Sequence, residues 1–525
     1  MGIYIHLNVS NKVDSKQWEK AYEESLILID KIGLVEYDEI KKFGRKIWCL
    51  APSRERNVNG RLGWLAHGDA YTLKTAEDQF LPRKISASCD SEEYADPLMY
   101  VLAQHCIENF ENPFVQKVTE FFGNKTQGEP YHMVLLCIGC LFDDRLNGEA
   151  ICSGDITYGQ CEHAIQVANK YLKKPIKTPL RCDLNRLYER VCKLPIAKEK
   201  LLLAFETTYL GPKNEEYFNF VKEKFSDEAK GDFVRECLKG NRLGTYGFSQ
   251  SMQKILAYPI AIADVCREFI ALHPEKMTVK DETRNPYELF IEDILETNIH
   301  IPVKDLRNCL DVDEGSGEVM SIEKLFAGFC FMGARNKNVD RFVPLDELKR
   351  ELVSVIGDKC DMEKVVDAYV KKHEENKLSV SSELNDIHEK FQKKEDKTAK
   401  IMETYDIARY RDLPFYEKGN SVWPKLQEQI KSWVDFYKGA LKEDHYAEIS
   451  KKDFEAKFKY FALQNKCLHL WKESWEKILK DVEENPESFE RYYPMVRVSI
   501  NSEDAQGFVR AYVENDEFYE FCQTL

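Results

Sequence analysis

The chain has 525 residues, 43% of them hydrophobic and 12% aromatic, which is ample for packed cores and too much for a single one. A net charge of -15, a mean hydropathy of -0.49 and the lack of a long uncharged apolar run exclude a membrane-spanning helix. The same charge disfavours indiscriminate nucleic-acid binding, because each phosphate contact would work against the protein's own field.

The first residues, MGIYIHLNVS, read as an apolar strand with no basic leader and no small-residue cleavage site. His6 stands where a myristoylation signal needs a hydroxyl. The 16 scattered cysteines then read as reduced, buried thiols of a cytoplasmic protein.

Residues 3–9 alternate as a strand. Residues 15–31 place Trp18, Tyr22, Leu26 and Ile29 on one helical stripe, with Gly33 just past the end. Phe43-Gly44 predicts a hairpin leading into KIWCLAP. Residues 57–70 read as a loop, in which His67-Gly68-Asp69 is a chemical candidate. Residues 97–122 read as two helices broken at Asn112-Pro113. The apolar stretch LLCIGCLF reads as a strand, joined to a second strand through Asn147-Gly148, a pair tolerant of positive φ. Thr157 and Gln160 form a capping box that opens a helix over 158–172.

From about residue 183 helical periodicity takes over, apart from one late strand at 495–500. The fold class is α+β: a mixed α/β domain at 1–195, a helical domain at 196–378, and a helical C-terminal domain at 379–525. The last contains a long helical hairpin, whose first arm carries Leu384, Ile387, Phe391, Ile401 and Tyr405. The stripe Phe454, Phe458, Phe461, Leu468, Trp471, Trp475 and Ile478 reads as core.

No phosphate-binding glycine loop, dinucleotide fingerprint, HExxH, GxSxG or kinase set is present. The densest chemistry lies in 131–200. Asp143, Asp144, Glu149, Asp155 and His163 are the residue types that hold a divalent metal and activate water. They resemble the site of PD-(D/E)xK nucleases, but the acidic-x-Lys step is missing because Ala150-Ile151 follows Glu149. Cys137, Cys140, Cys152, Cys161 and His163 have the types of a zinc site. On a strand, however, Cys137 and Cys140 would face opposite sides. Lys170, Lys173, Lys174, Lys177, Arg181, Arg186, Arg190 and Lys193 form a basic segment suited to an anion or nucleic acid.

Asn336–Glu347, and more loosely 311–323, resemble EF-hand calcium loops, with Arg341 in place of the glycine that the sharp bend needs. Arg267 and His273 have the spacing seen in HEPN ribonucleases; on a helix, buried against Ile270, His273 reads as structural before it reads as functional.

The leading expectation is a non-enzymatic regulatory or interaction protein. It would bind a macromolecular partner, a protein first, through its helical region, and an anion or nucleic acid through the basic 170–193 segment, with no membrane contact and no cofactor. The first alternative is a metal-dependent nuclease or phosphodiesterase whose site lies in 143–163. The second is a HEPN-like ribonuclease using Arg267 and His273.

Overall fold

The architecture comes from a computed structural model that describes residues 2–85, 95–105, 118–277, 284–302, 339, 341–369, 371, 407–465, 468–497 and 503–525. Sheet-rich and helical parts follow one another, an α+β arrangement. Two compact units are present: Met1–Asp183 together with Lys390–Leu525, and Leu184–Glu389. Among the described residues, no helix is long and apolar enough to cross a membrane.

The first unit starts with β1 (Ile5–Val9), whose Ile5, Leu7, Asn8 and Val9 are all buried. A strand buried on both faces must lie centrally. β1 pairs antiparallel with β7 (Thr119–Phe121) and β8 (Ala150–Gly154). Asp14 caps α1 (Ser15–Leu28) by accepting the Gln17 amide. The buried stripe of α1 includes Trp18, Tyr22 and Leu28. Trp18 packs on Phe142 at 4.6 Å and donates its ring N–H to the Pro82 carbonyl at 3.1 Å.

A second sheet runs β3-β2-β5-β4, with β6 added beside β5. β2 (Leu34–Lys42) and β3 (Arg45–Pro52) turn at Phe43-Gly44, both with positive φ, as expected. The expected loop at 57–70 is instead mostly strand. β4 (Glu55–Val58) and β5 (Arg61–Asp69) form a hairpin around Asn59-Gly60, at φ 50° and 82°. Burial of Trp64 and Ala66 drives that pairing, since a strand here hides both on one face. β6 (Thr75–Pro82) completes the sheet.

Two further expectations need correction. The segment 97–122 yields one described helix, α2 (Pro97–His105), and then strand β7; residues 106–117 lie outside the described set. LLCIGCLF is not a strand. It lies within α3 (Tyr131–Arg145), in which 12 of 15 residues are buried. A run this long, interrupted only by Gly139, satisfies its own backbone hydrogen bonds as a helix while burying every face. Asn147-Gly148 keeps its positive φ values but joins this helix to β8. The Thr157–Gln160 capping box opens α4 (Tyr158–Asn169) as predicted.

Residues from the far end of the chain complete this unit. Helices Pro424–Ala440, Phe454–Gln464, Lys472–Glu484, Glu503–Glu514 and Asp516–Gln523 bury Ile430, Phe458, Trp475, Phe508 and Phe518 around Ile47 and Cys49 of β3. The open edge of β3 is closed by the same region. The Asn465 amide brackets Trp48, accepting its N–H at 2.8 Å and donating to its carbonyl at 2.7 Å. The Leu50 amide donates to the Leu470 carbonyl at 2.9 Å. Covering an edge in this way removes a template for stray strand pairing.

Of the late strand, the described part is a 3-10 turn, Pro494–Arg497, and 498–502 lie outside the described residues. The long polar helix expected before residue 407 also lies outside them.

The second unit is helical: α5 (Leu184–Val191), α6 (Leu201–Thr208), α7 (Glu215–Lys224), α8 (Asp227–Leu238), α9 (Tyr246–Ala257), α10 (Ile262–Ala271), α11 (Pro286–Leu295) and the helix Leu345–Ile356. Asn214 and Ser226 cap α7 and α8. Phe269 and Phe290 stack at 3.9 Å in its core.

Candidate functional site

The sequence Asp143-Asp144-Arg145 ends α3, and all three side chains turn to the segment that follows α4. The buried Asp143 carboxylate accepts the Leu180 amide at 3.0 Å. Asp144 accepts the Lys177 amide at 3.1 Å and pairs with Arg145. Arg145 grips Glu24 of α1 through two bonds of 2.8 Å and donates to the Lys174 carbonyl. From the other side, Asn169 accepts the Ile176 amide at 2.7 Å and donates to the Ile176 carbonyl at 3.1 Å. Leu172 and Ile176 are buried and pin the segment by their side chains.

The product is a fixed loop, 170–177, with Lys170, Lys173, Lys174 and Lys177 exposed and none of them ion-paired among the described residues. Tyr171, 40% exposed, stands among them. Four unneutralised ammonium groups in eight residues make a locally positive surface on an acidic protein.

The remaining carboxylates do not join this group. Glu149 is half-buried just before β8, and Asp155 lies just past its other end, where it accepts the Tyr4 amide at 2.8 Å. The strand between them spans roughly 17 Å at ~3.4 Å per residue. His163 is exposed on α4. The metal-dependent alternative needed Asp143, Asp155 and His163 in one cleft. Among the described residues, no three His, Cys, Asp or Glu side chains are placed to hold a metal ion.

The basic segment divides. Lys173, Lys174 and Lys177 belong to the loop. Arg181 is only 5% exposed and donates to the Cys152 carbonyl at 3.0 Å, so it lies inside the first unit. Arg186 and Arg190 are half-buried on α5 of the second unit, and Lys193 is exposed just beyond it.

A cysteine cluster surrounds Arg181. Because 131–145 is helical, Cys137 and Cys140 share a face, three residues apart. Both turn to α4: the Cys137 thiol donates to the Ala164 carbonyl at 3.4 Å, and Cys140 meets Cys161. Cys182, which the spacing did not single out, reaches Cys161 from the other side. The thiol hydrogen bonds from Cys140 and Cys182, with Arg181 nearby, hold the Cys161 thiol well below its ordinary range, against the effect of burial. Cys140 is pushed up by its hydrogen bond to Cys161 and by burial, and Cys182 rises for the same two causes. A zinc ion here would sit against a buried guanidinium, and His163 points away from the cluster into solvent.

The other candidates are placed as follows. Arg267 is exposed and pairs with Asp264. His273 is not packed away: it is 66% exposed at its side chain, adopts φ 55°, and lies 3.3 Å from Glu275. Of the calcium-loop resemblance, 311–323, 336–338 and 340 lie outside the described residues. Arg341 donates to the carbonyls of Tyr258 and Ile260 at 2.6 and 2.8 Å, fastening the end of α9. His67 is in β5, half-buried against Tyr37 at 4.7 Å, and burial draws its pKa down. Asp69 accepts the Tyr71 and Thr72 amides as a turn former.

A buried network that spacing did not reveal lies in the second unit. Glu206 receives Tyr217 at 2.6 Å, Tyr258, Lys213, and Lys254 at 3.1 Å. Burial opposes its charge, but Lys254 and Lys213 outweigh burial and lower its pKa. A carboxylate satisfied by four donors is a structural anchor. No protein-family model, curated protein or solved structure matches the chain.

Proposed function

We propose that the chain is a non-enzymatic binding protein that engages a macromolecular partner by docking the 170–177 loop on an anionic surface of it. The observation that carries this reading is the frame under the loop. Asp143, Asp144, Arg145 and Asn169 fix its backbone, so four lysines are presented without being neutralised. Residues that look catalytic in sequence are used as that frame. Fixing the loop beforehand lowers the ordering cost of binding, and the exposed Tyr171 ring suits stacking on a base. The described cysteines are all free thiols, which supports a cytoplasmic setting.

The test is titration of the full chain into a labelled 20-nucleotide single-stranded RNA and, separately, an acidic peptide, across a salt series. With Lys173, Lys174 and Lys177 all changed to Glu, the affinity for the preferred anion is expected to fall at least tenfold. The salt slope should fall by about two, near 0.7 per lost phosphate contact on single strands. Equal binding by both proteins would sink the proposal. Metal-dependent cleavage of the RNA that is lost in Asp155→Ala or His163→Ala would replace it with the hydrolase reading.

A further inference from the structure

We infer that Tyr71 and Phe415 form a platform on which a base of a single-stranded nucleic acid stacks, with Arg411 beside it for the adjoining phosphate. The two rings lie 5.0 Å apart, at 8° to one another. Tyr71 is 46% exposed and Phe415 52%. Exposure near one half is what a ring shows when its neighbour covers one face and the other is open to water. Single exposed aromatics are common on protein surfaces, but two held parallel make a flat apolar step.

Local sequence turns both rings outward. Tyr71 sits in the turn between β5 and β6. Asp69 accepts the Tyr71 and Thr72 amides at 3.0 and 2.8 Å, and the buried Leu73 side chain anchors the far end of the turn. Phe415 ends the turn Tyr410–Phe415, between the buried Leu413 and Tyr416. With those two in the core, Phe415 is left outside. Asn515 donates to the carbonyls of Pro414 and Tyr416 at 3.1 and 2.7 Å, which fixes the backbone on both sides of Phe415. The two turns are also tied together. The Tyr71 hydroxyl donates to Asp412 at 2.7 Å, and Arg510 donates to the Tyr71 carbonyl at 2.5 Å. All these residues belong to the first unit. The rings are therefore ordered before a partner arrives, which lowers the cost of binding.

The chemistry selects the occupant. The Tyr71 proton is committed to Asp412, so the platform offers ring faces rather than a hydrogen-bond donor. Any flat aromatic partner satisfies such faces, which is how bases are held without sequence readout. Arg510 is spent on the Tyr71 carbonyl and on Glu514. Arg411, next to Asp412 in the chain, is half-exposed and has no ion pair among the described residues. The Asp412 carboxylate opposes an anion here, and the Tyr71 hydroxyl engages it. A guanidinium calls for an anion, and phosphate is the anion that accompanies a base. A proline-rich peptide would fill the rings and leave Arg411 unanswered. The platform stands apart from the lysine loop. The loop attracts phosphates whatever they carry, whereas the platform responds to the base.

The full-length protein is titrated at fixed low salt into a labelled 20-nucleotide oligouridylate and into an abasic strand of the same length and charge. The ratio of the two dissociation constants reads the contribution of the bases. The parent is expected to bind the abasic strand about tenfold more weakly, the scale of one base–aromatic stack. Phe415→Leu keeps the apolar bulk and removes the flat ring, so it should bring the ratio close to one. Phe415→Trp should keep or raise it. Arg411→Gln should weaken both strands by a similar factor. The triple lysine change should do the same; if it alters neither affinity, the lysine-loop reading fails while the ratio still decides the platform. Equal affinity for the two strands in the parent, no binding of either, or a ratio that Phe415→Leu leaves unchanged would overturn the inference. So would dimerisation in sedimentation, or binding of a proline-rich peptide, that Phe415→Leu abolishes.

Discussion

Asp144 separates two accounts of the lysine loop by the sign of one effect. If only net charge mattered, removing a carboxylate beside four lysines would strengthen polyanion binding. If the loop acts because Asp144 holds the Lys177 amide at 3.1 Å, removal must weaken it. Asp144→Ala is therefore expected to bind the polyanion several-fold less tightly, measured by the same titration; tighter binding would leave charge alone as the cause. Asp143→Ala leaves the buried Leu180 amide without its acceptor and should cost about 2 kcal/mol in urea unfolding. A second residue-scale expectation concerns pH. Burial pushes the Glu36 carboxyl up to about 7, against the pull of Arg56 at 2.7 Å. Its folded pKa exceeds its unfolded value of about 4.3, so the native state holds this proton more tightly. The stabilisation is full below about pH 4.3 and is lost as pH rises through 7. Glu36→Gln should remove a decline of about 3 kcal/mol in unfolding free energy between pH 4.5 and 7.5, read from urea unfolding. Parallel pH profiles for the two proteins would contradict this.

At the scale of elements, the two Asn-Gly pairs show what local sequence carries. Both Asn59-Gly60 and Asn147-Gly148 adopt positive φ, as their chemistry requires. The first links two strands and the second links a helix to a strand, because the dipeptide specifies the turn and not its flanks. The flanks are decided by burial: Trp64 needs one hidden face, whereas Leu135 to Phe142 are hidden all round. Misreading that run as a strand also scattered Cys137 and Cys140 to opposite sides, and so concealed the cluster. The capping box, the Phe43-Gly44 hairpin and the lysine run were legible because each is set by residues a few positions apart. Cys182 and the Asp143–Leu180 bond were not, since they depend on how α3 meets a loop 37 positions later. Close packing of elements yields a further expectation. A Cβ on Gly507 would lie 2.4 Å from the Tyr410 carbonyl oxygen, where helix Glu503–Glu514 meets the turn Tyr410–Phe415. Backbone cannot yield there as a side chain can, so Gly507→Ala should lower unfolding free energy by about 2 kcal/mol. An unchanged thermal midpoint would show that the two elements are less closely docked.

At the scale of the whole molecule, the first unit draws on both ends of the chain, with Leu184–Glu389 lying between them in sequence. No short-range signal links 390–525 to the first sheets; the link is a shared apolar core and an edge closed by a distant amide. Fragments 1–183 and 390–525 are accordingly expected to be soluble when co-expressed and to co-purify, and each to aggregate alone. Independent, monomeric folding of 1–183 would show that its edge needs no cover. The Asn465 bracket on Trp48 also sets a clock on synthesis. Its two ends are 417 residues apart. At about 5–20 residues per second, a ribosome takes roughly 20–80 s to deliver the second after the first. Throughout that interval β3 is paired with β2 on one side, while its outer edge has nothing of its own chain to cover it. The greatest danger to this protein is thus met before it is complete, and slowing translation past residue 50 should raise the misfolded fraction more than any equal delay after residue 480.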